Sequence, residues 1–161
     1  MRRLKKFKIT PENRFEVHHQ KTNSLGGWDD HVMISKEDPD PELFRLLDDL
    51  DPYLSEICEF AEHDYYKNPY KVRGLSFSYG GEDEVMGVTV SFQRTLRLSN
   101  SPLNLNTPHM IEEPYSADGD DTQVMSYDML ITIKQIMEQA IGYLDGKRAQ
   151  KNLFETEPLT E

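Results

Sequence analysis

The N-terminal part of the chain alternates apolar and polar residues with a period of two. The segments KKFKIT and RFEVHHQKT carry β-branched and aromatic residues and are separated by a break at Pro11. The segment WDDHVMIS follows a turn at Ser24–Gly27. Since a period of two is typical of strands that bury one face, this part of the chain predicts a small antiparallel set of strands.

Two similar phrases, DPEL at Asp40 and DPYL at Asp51, predict the starts of two helices. In each, the aspartate can cap free N–H groups and the proline fits the first helical position. A residue before proline avoids the α region, so we expect a break at Asp51 rather than one straight helix. The predicted apolar faces are Leu43, Phe44, Leu46, Leu47 and Leu50 in the first helix, and Leu54, Ile57, Cys58, Phe60 and Ala61 in the second.

From Tyr70 onward the period returns to two, which predicts a hairpin with one apolar face. Its apolar residues are Leu75, Phe77 and Tyr79 in one strand and Val88, Val90 and Phe92 in the other, with a loop over 80–84. We expect Leu96 and Leu98 to extend the second strand, and the following SNSPLNLNTPHM to be ordered but irregular because of its prolines and its Ser and Asn residues.

A continuous apolar stripe from Met129 to Leu144 predicts the last helix, with Ser126 near its start and Gly146 at its end. Together the elements predict an α+β fold. The N-terminal strands and the central hairpin are expected to form an antiparallel sheet, and the helices are expected to pack on one of its faces. We predict a single domain over residues 1–148 and a flexible C-terminal tail over 149–161.

The charge balance limits the classes of partner. The 161 residues include 18 Lys and Arg against 29 Asp and Glu, a formal net charge of -11. Direct binding to duplex DNA is therefore not expected, because phosphates would be repelled. An acidic body could instead imitate DNA toward a host nuclease or defence protein, and the residues expected to form that acidic face are Asp48, Asp49, Asp51, Glu56, Glu59 and Asp64.

Few residues suggest chemistry. The lone cysteine, Cys58, excludes an internal disulfide and favours a reducing compartment, where it is expected to serve as a small buried apolar residue. No apolar run follows the basic N-terminus, so we expect no membrane span and a cytoplasmic protein. His19 and His31 are weak candidates for a metal pair across a hairpin, with Asp29 or Asp30 nearby. No catalytic motif is present, and we expect no cofactor and no enzymatic activity, a metal-dependent hydrolase being the less favoured alternative.

The C-terminal string QKNLF resembles the pentapeptide with which many bacterial and phage DNA-metabolism proteins bind the sliding clamp. The resemblance implies that Gln150 makes polar contacts while Leu153 and Phe154 fill an apolar cleft, as anchors in a pocket. Lys151 departs from the pattern, which often has an aliphatic residue there, and Asn152 stands where Ser or Asp is frequent. An alternative is that Leu153 and Phe154 fold back onto the domain as an apolar clip.

Two further phrases, SNSPLNLNTPH at 99–109 and YLDGKRAQKNLF at 143–154, resemble an uncharacterised family of small proteins encoded by bacterial phages and prophages. This resemblance implies a setting in a bacterial host cell, in phage DNA metabolism or host takeover, and no particular mechanism. The sequence thus predicts a non-enzymatic accessory protein whose tail binds the sliding clamp, and it leaves the role of the folded body and the oligomeric state open.

Overall fold

A computed structural model of the chain describes residues 1–60, 70–114 and 123–149. In this part of the chain, seven strands form one antiparallel sheet. The strands are β1 (Arg2–Ile9), β2 (Phe15–Thr22), β3 (Trp28–Ser35), β4 (Tyr70–Gly80), β5 (Val85–Arg94), β6 (Leu103–Asn106) and β7 (Met110–Ile111). The helices are α1 (Pro41–Asp48), α2 (Asp51–Ile57) and α3 (Tyr127–Leu144).

The strand order is β3-β2-β1-β4-β5-β6, and β7 also pairs with β5. The first strand therefore lies in the middle of the sheet, between β2 and β4, although it is the first element of the chain. Register is regular apart from one bulge between Leu4 and Lys6 in β1 and another between Val72 and Gly74 in β4. The second bulge explains why the buried positions of β4 change from even numbers at Val72 to odd numbers at Leu75.

The core lies between one face of the sheet and the helices. The sheet contributes fully buried residues such as Phe7, Val17, Leu75, Val88, Val90 and Phe92. The helices contribute Leu43, Leu46, Leu54, Met129, Ile133, Ile136 and Ala140 to the same cluster. Because burial of one large aliphatic or aromatic side chain is worth roughly 1.5–3 kcal/mol, this two-layer contact is the main source of stability.

The α+β fold class predicted from the sequence is confirmed, with the helices packed on one face of an antiparallel sheet. The predicted boundaries of the last helix are confirmed too. The Ser126 hydroxyl accepts a hydrogen bond from the Met129 N–H at 3.3 Å, and Gly146 follows the helix with φ +100°, a conformation that suits glycine. Tyr143, near the end of this helix, is also buried.

Three local predictions were wrong. Asp40 caps α1 by accepting a hydrogen bond from the Glu42 N–H at 2.9 Å, but Asp51 caps nothing, because the preceding Leu50 is already helical and α2 begins at Asp51 itself. Leu96 and Leu98 do not extend β5, which ends at Arg94 opposite Tyr70, the first residue of its partner β4. The segment SPLNLNTPH is not irregular throughout, since it contains β6, which pairs with β5.

Candidate functional site

The C-terminal end of the described chain is fixed to the body after α3. The Arg148 guanidinium lies 3.6 Å from the centre of the Tyr143 ring and donates a hydrogen bond to the Tyr143 carbonyl oxygen at 2.6 Å. The Ala149 N–H donates to the Asp38 carbonyl oxygen at 3.0 Å. The predicted clamp-binding residues Gln150, Leu153 and Phe154 lie outside the described residues. Gln150 follows directly after the last of these contacts.

The predicted acidic face lies on and after the first two helices. Four of its residues, Asp48, Asp49, Glu56 and Glu59, are exposed. Asp49 accepts a hydrogen bond from Arg45 at 3.0 Å, which neutralises part of its charge. Asp64 lies outside the described residues. The exposed residues in the described part of this surface therefore present carboxylates to the solvent.

Asp51 differs from these four residues because its side chain is half-buried. One carboxylate oxygen of Asp51 is enclosed with no hydrogen-bond partner among the described residues. Burial, with the negative charge of Asp48 as a smaller cause, raises the pKa of Asp51 to about 7. Asp51 therefore carries only a partial charge at neutral pH, and it is a poor mimic of a phosphate.

The histidine pair predicted across a hairpin is formed. His19 lies directly opposite His31 on neighbouring strands, and their ring centroids are 5.3 Å apart. His19 is buried, and its Nδ1 atom has no hydrogen-bond partner in the described structure. Burial lowers the pKa of His19, and the positive charges of His31, Lys21 and Arg2 lower it further.

The histidine pair lies beside residues of both charges. Among residues 1–60, 70–114 and 123–149, no group of three or more His, Cys, Asp and Glu residues is placed to hold a metal ion. The two histidines instead line a shallow pocket of about 390 Å³, whose other lining residues include Lys5, Lys6, His18, Asp30 and Ser76. The pocket therefore combines two basic residues with one carboxylate, and the histidine pair alone does not make a metal site.

The sheet face opposite the core, which we call the open face, carries most of the cations of the central strand. Lys6 pairs with Ser76 and Lys8 with Gly74, whereas Phe7 between them pairs with buried Leu75. Because side chains alternate across a strand, both lysines project from the open face. By the same alternation, the other members of this face include Arg3, Glu16, His18, Gln20, Lys71, Ser76, Ser78, Thr89, Ser91, Gln93, Asn104 and Asn106.

Arg3 is held at one end of the open face between two aromatic rings. Its guanidinium carbon lies 4.0 Å from the centre of the Trp28 ring and 4.6 Å from that of Tyr79. The same guanidinium donates to Gln20 at 2.9 Å and to Glu84 at 3.2 Å. Stacking and hydrogen bonding together fix its plane, an arrangement that arginine can adopt and lysine cannot.

A hydroxyl and an imidazole also meet on the open face. The Ser78 Oγ and His109 Nε2 atoms are 2.8 Å apart. The imidazole occupies the space above Gly87, where a Cβ atom would come within 2.4 Å of Nε2. Packing over this glycine accounts for the position of His109, which the sequence offered no pattern to predict.

Comparison with known proteins adds no family to this geometry: no protein-family model, curated protein or solved structure matches the chain. The resemblances to phage proteins and to the clamp-binding pentapeptide therefore stay predictions. No helix among the described residues is long and apolar enough to cross a membrane. The open face is the feature that the sequence interpretation missed, although the basic residues in RRLKKFKI were a signal for it.

Proposed function

We propose that the protein is a non-enzymatic phage or prophage accessory protein that binds the bacterial sliding clamp through Gln150, Leu153 and Phe154. The observation that carries this proposal is the string QKNLF, which begins directly after Ala149, a residue hydrogen-bonded to Asp38 of the body. A recognition peptide must leave its own domain to enter a cleft on another protein, and this one follows a residue that the body holds in place.

The anchor chemistry supports the same proposal. Leu153 and Phe154 are adjacent large apolar residues in a stretch whose other residues are mostly polar or acidic, KNLFETEPLTE. Burying two such side chains in an apolar cleft is worth roughly 3–6 kcal/mol before the cost of ordering the peptide is subtracted. Affinities near the micromolar range would be sufficient for an accessory protein that visits a replication complex.

A competition experiment tests this function. Fluorescently labelled synthetic peptide spanning residues 148–161 is bound to purified bacterial sliding clamp, and the unlabelled full chain is then added. The full chain should displace the peptide, and a chain that ends at Ala149 should not. If the chain ending at Ala149 displaces the peptide equally well, the binding surface lies on the body and the proposal fails.

A group of exposed carboxylates favours a second candidate function, inhibition of a host nuclease or defence protein by the acidic helical side. Asp48, Asp49, Glu56 and Glu59 are exposed on and after the first two helices, although Asp48 shares a pocket with Lys71 and Arg73. Binding through these carboxylates should weaken steeply with added salt, whereas binding through Leu153 and Phe154 should not. Clamp binding measured at low and high salt therefore separates the two candidates.

A further inference from the structure

We propose that the open face binds the phosphate backbone of a single-stranded nucleic acid. This inference does not depend on clamp binding, because it concerns residues of the folded body alone. Its basis is a row of cations that follows the central strand through Arg3, Lys6 and Lys8 and continues to Lys71 and Arg73 on the neighbouring strand. A chain with a net charge of -11 thus concentrates positive charge on one surface.

The spacing of these cations suits a linear polyanion. Lys6 and Lys8 are two residues apart on the same strand, so their Cα atoms are separated by about 7 Å. Successive phosphates of an extended single strand are separated by a similar distance. A strand running along β1 could therefore place one phosphate beside each lysine without bending.

Two shallow pockets lie along the row, and each has two basic residues in its lining. The pocket of about 390 Å³ includes Lys5 and Lys6 in its lining. The other, of about 510 Å³, includes Lys71 and Arg73 together with the amides of Gln93 and Asn104. Such pockets offer charged and neutral hydrogen-bond donors, which phosphate and sugar oxygens accept.

The local electrostatics agree with an anion site at the first pocket. His19 contributes to the lining of this pocket, but its side chain alternates with those of His18 and Gln20 and therefore lies on the core side of the sheet, so the anion site rests on the residues of the open face. The acidic residues of the open face are already hydrogen-bonded, Glu16 to His18 at 2.7 Å and Asp30 to Gln20 at 2.7 Å. His18, as the first cause, and the nearby charges of Lys8 and Lys6 lower the pKa of Glu16, so this carboxylate lies in a positive local field.

A single strand fits this surface better than a duplex or an acidic protein segment. The open face of a sheet presents no helix or projecting ribbon to enter a major groove, whereas sheet faces commonly support unpaired strands. The side chains around the lysines are hydroxyls and amides, including Ser76, Thr89, Ser91 and Asn106, which suit sugars and base edges. The Trp28 ring, stacked with Arg3, lies at the edge where a base could stack.

The test is fluorescence anisotropy of a labelled oligothymidylate titrated with the full chain. Contact with about four phosphates predicts that affinity falls roughly fifty-fold between about 50 and 200 mM salt. The double variant Lys6→Glu/Lys8→Glu should bind at least about tenfold more weakly than the wild type. The milder Lys6→Gln/Lys8→Gln variant should also lose affinity. It places no carboxylate at position 8 opposite Glu16, so repulsion between two carboxylates cannot cause its loss of affinity.

A charge-matched control places the same change on the helical side. Lys134→Glu/Lys147→Glu alters net charge equally but lies on and after α3, so it should bind within about twofold of the wild type. Three results would overturn the proposal: no binding of the oligonucleotide at low salt, equal losses in both charge-reversed variants, or tighter binding of a duplex. Equal or tighter binding of polyglutamate would overturn it too, by assigning the face to an acidic protein instead.

Discussion

The backbone N–H of Ala149 donates a hydrogen bond of 3.0 Å to the carbonyl oxygen of Asp38. This bond joins the segment after the last helix to the loop before α1, so that the end of the described chain is held at a defined place on the body. It also separates two parts of the C-terminus with different expected roles. Residues up to Ala149 contribute to the fold, and the residues after it are proposed to bind the clamp.

Truncation should distinguish these two parts. If residues 150–161 serve the clamp and not the core, deleting them should change the free energy of unfolding by less than about 0.5 kcal/mol. Deleting residues 146–161 should cost about 1–3 kcal/mol, since it also removes the Arg148 contact with Tyr143 and the Ala149 hydrogen bond. Urea denaturation measures both. If the shorter deletion costs as much as the longer one, Leu153 and Phe154 act as an apolar clip on the body.

Asp51 should lower stability at neutral and alkaline pH. Its pKa is raised from 3.8 to about 7 in the folded state, so the folded protein binds more protons than the unfolded chain between these values. Stability should therefore fall as pH rises through this window. Asp51→Asn removes the buried charge and should stabilise the protein by about 1–2 kcal/mol above pH 7, a figure reduced because the group is half-exposed.

Denaturation of the wild type and Asp51→Asn near pH 4 and near pH 8 checks this effect. The gain should be present at the higher pH and much smaller at the lower one, where the folded protein keeps the carboxyl protonated and the unfolded chain is about half protonated. Asp48→Asn is a useful comparison, because removing that neighbouring charge should lower the pKa of Asp51 and recover part of the gain. An equal gain at both pH values would show that packing, not charge, is responsible.

His19 should contribute to loss of stability in acid. Its pKa is lowered in the folded state, first by burial and then by His31, Lys21 and Arg2. The unfolded chain therefore gains a proton at higher pH than the folded protein does, and stability should decrease as pH falls below the ordinary histidine pKa of 6.5. His19→Gln should flatten this part of the stability profile, measured by denaturation across the interval. Identical slopes in variant and wild type would contradict the assignment.

Two glycines in the hairpin should respond differently to alanine. A Cβ atom on Gly74 would lie 2.7 Å from the backbone oxygen of Phe7, so the two central strands would have to separate. A Cβ atom on Gly87 would meet the His109 ring and the Ser78 hydroxyl, and these side chains can rotate away. We expect Gly74→Ala to cost about 1–3 kcal/mol and Gly87→Ala less than about 1 kcal/mol. Equal costs in thermal denaturation would contradict this difference.

Periodicity was sufficient to predict the elements that form the core. The alternation around Leu75 and Val88 predicted the hairpin, and the stripe from Met129 predicted the last helix, because burial on one face imposes a clear spacing on apolar residues. Prediction failed where contacts between distant segments decide the structure. Leu98 continues the alternation but has no paired strand in β4 at that position, and β6 forms in a Pro- and Asn-rich segment because β5 offers an edge.

The surfaces were harder to predict than the core. Net charge indicated only an acidic chain, whereas the sheet pairs Lys8 of the first strand with Gly74, on the same strand as Lys71 and far along the sequence. The raised pKa of Asp51 was equally hard to predict, because the burial of its side chain depends on how α1 and α2 meet. The pairing of His19 with His31 was predicted as a possibility from the hairpin, but the lysines that line the same pocket were not.

The most direct test of the central claim is calorimetric titration of purified bacterial sliding clamp with the full chain at low and high salt. The matched variants are Leu153→Ala/Phe154→Ala, which removes both anchors, and Lys151→Ala/Asn152→Ala, which leaves them in place. We predict micromolar or tighter binding with weak salt dependence, lost in the first variant and retained in the second, because two buried apolar anchors are worth several kcal/mol. Absence of binding by the wild type, or equal binding by both variants, would contradict the account.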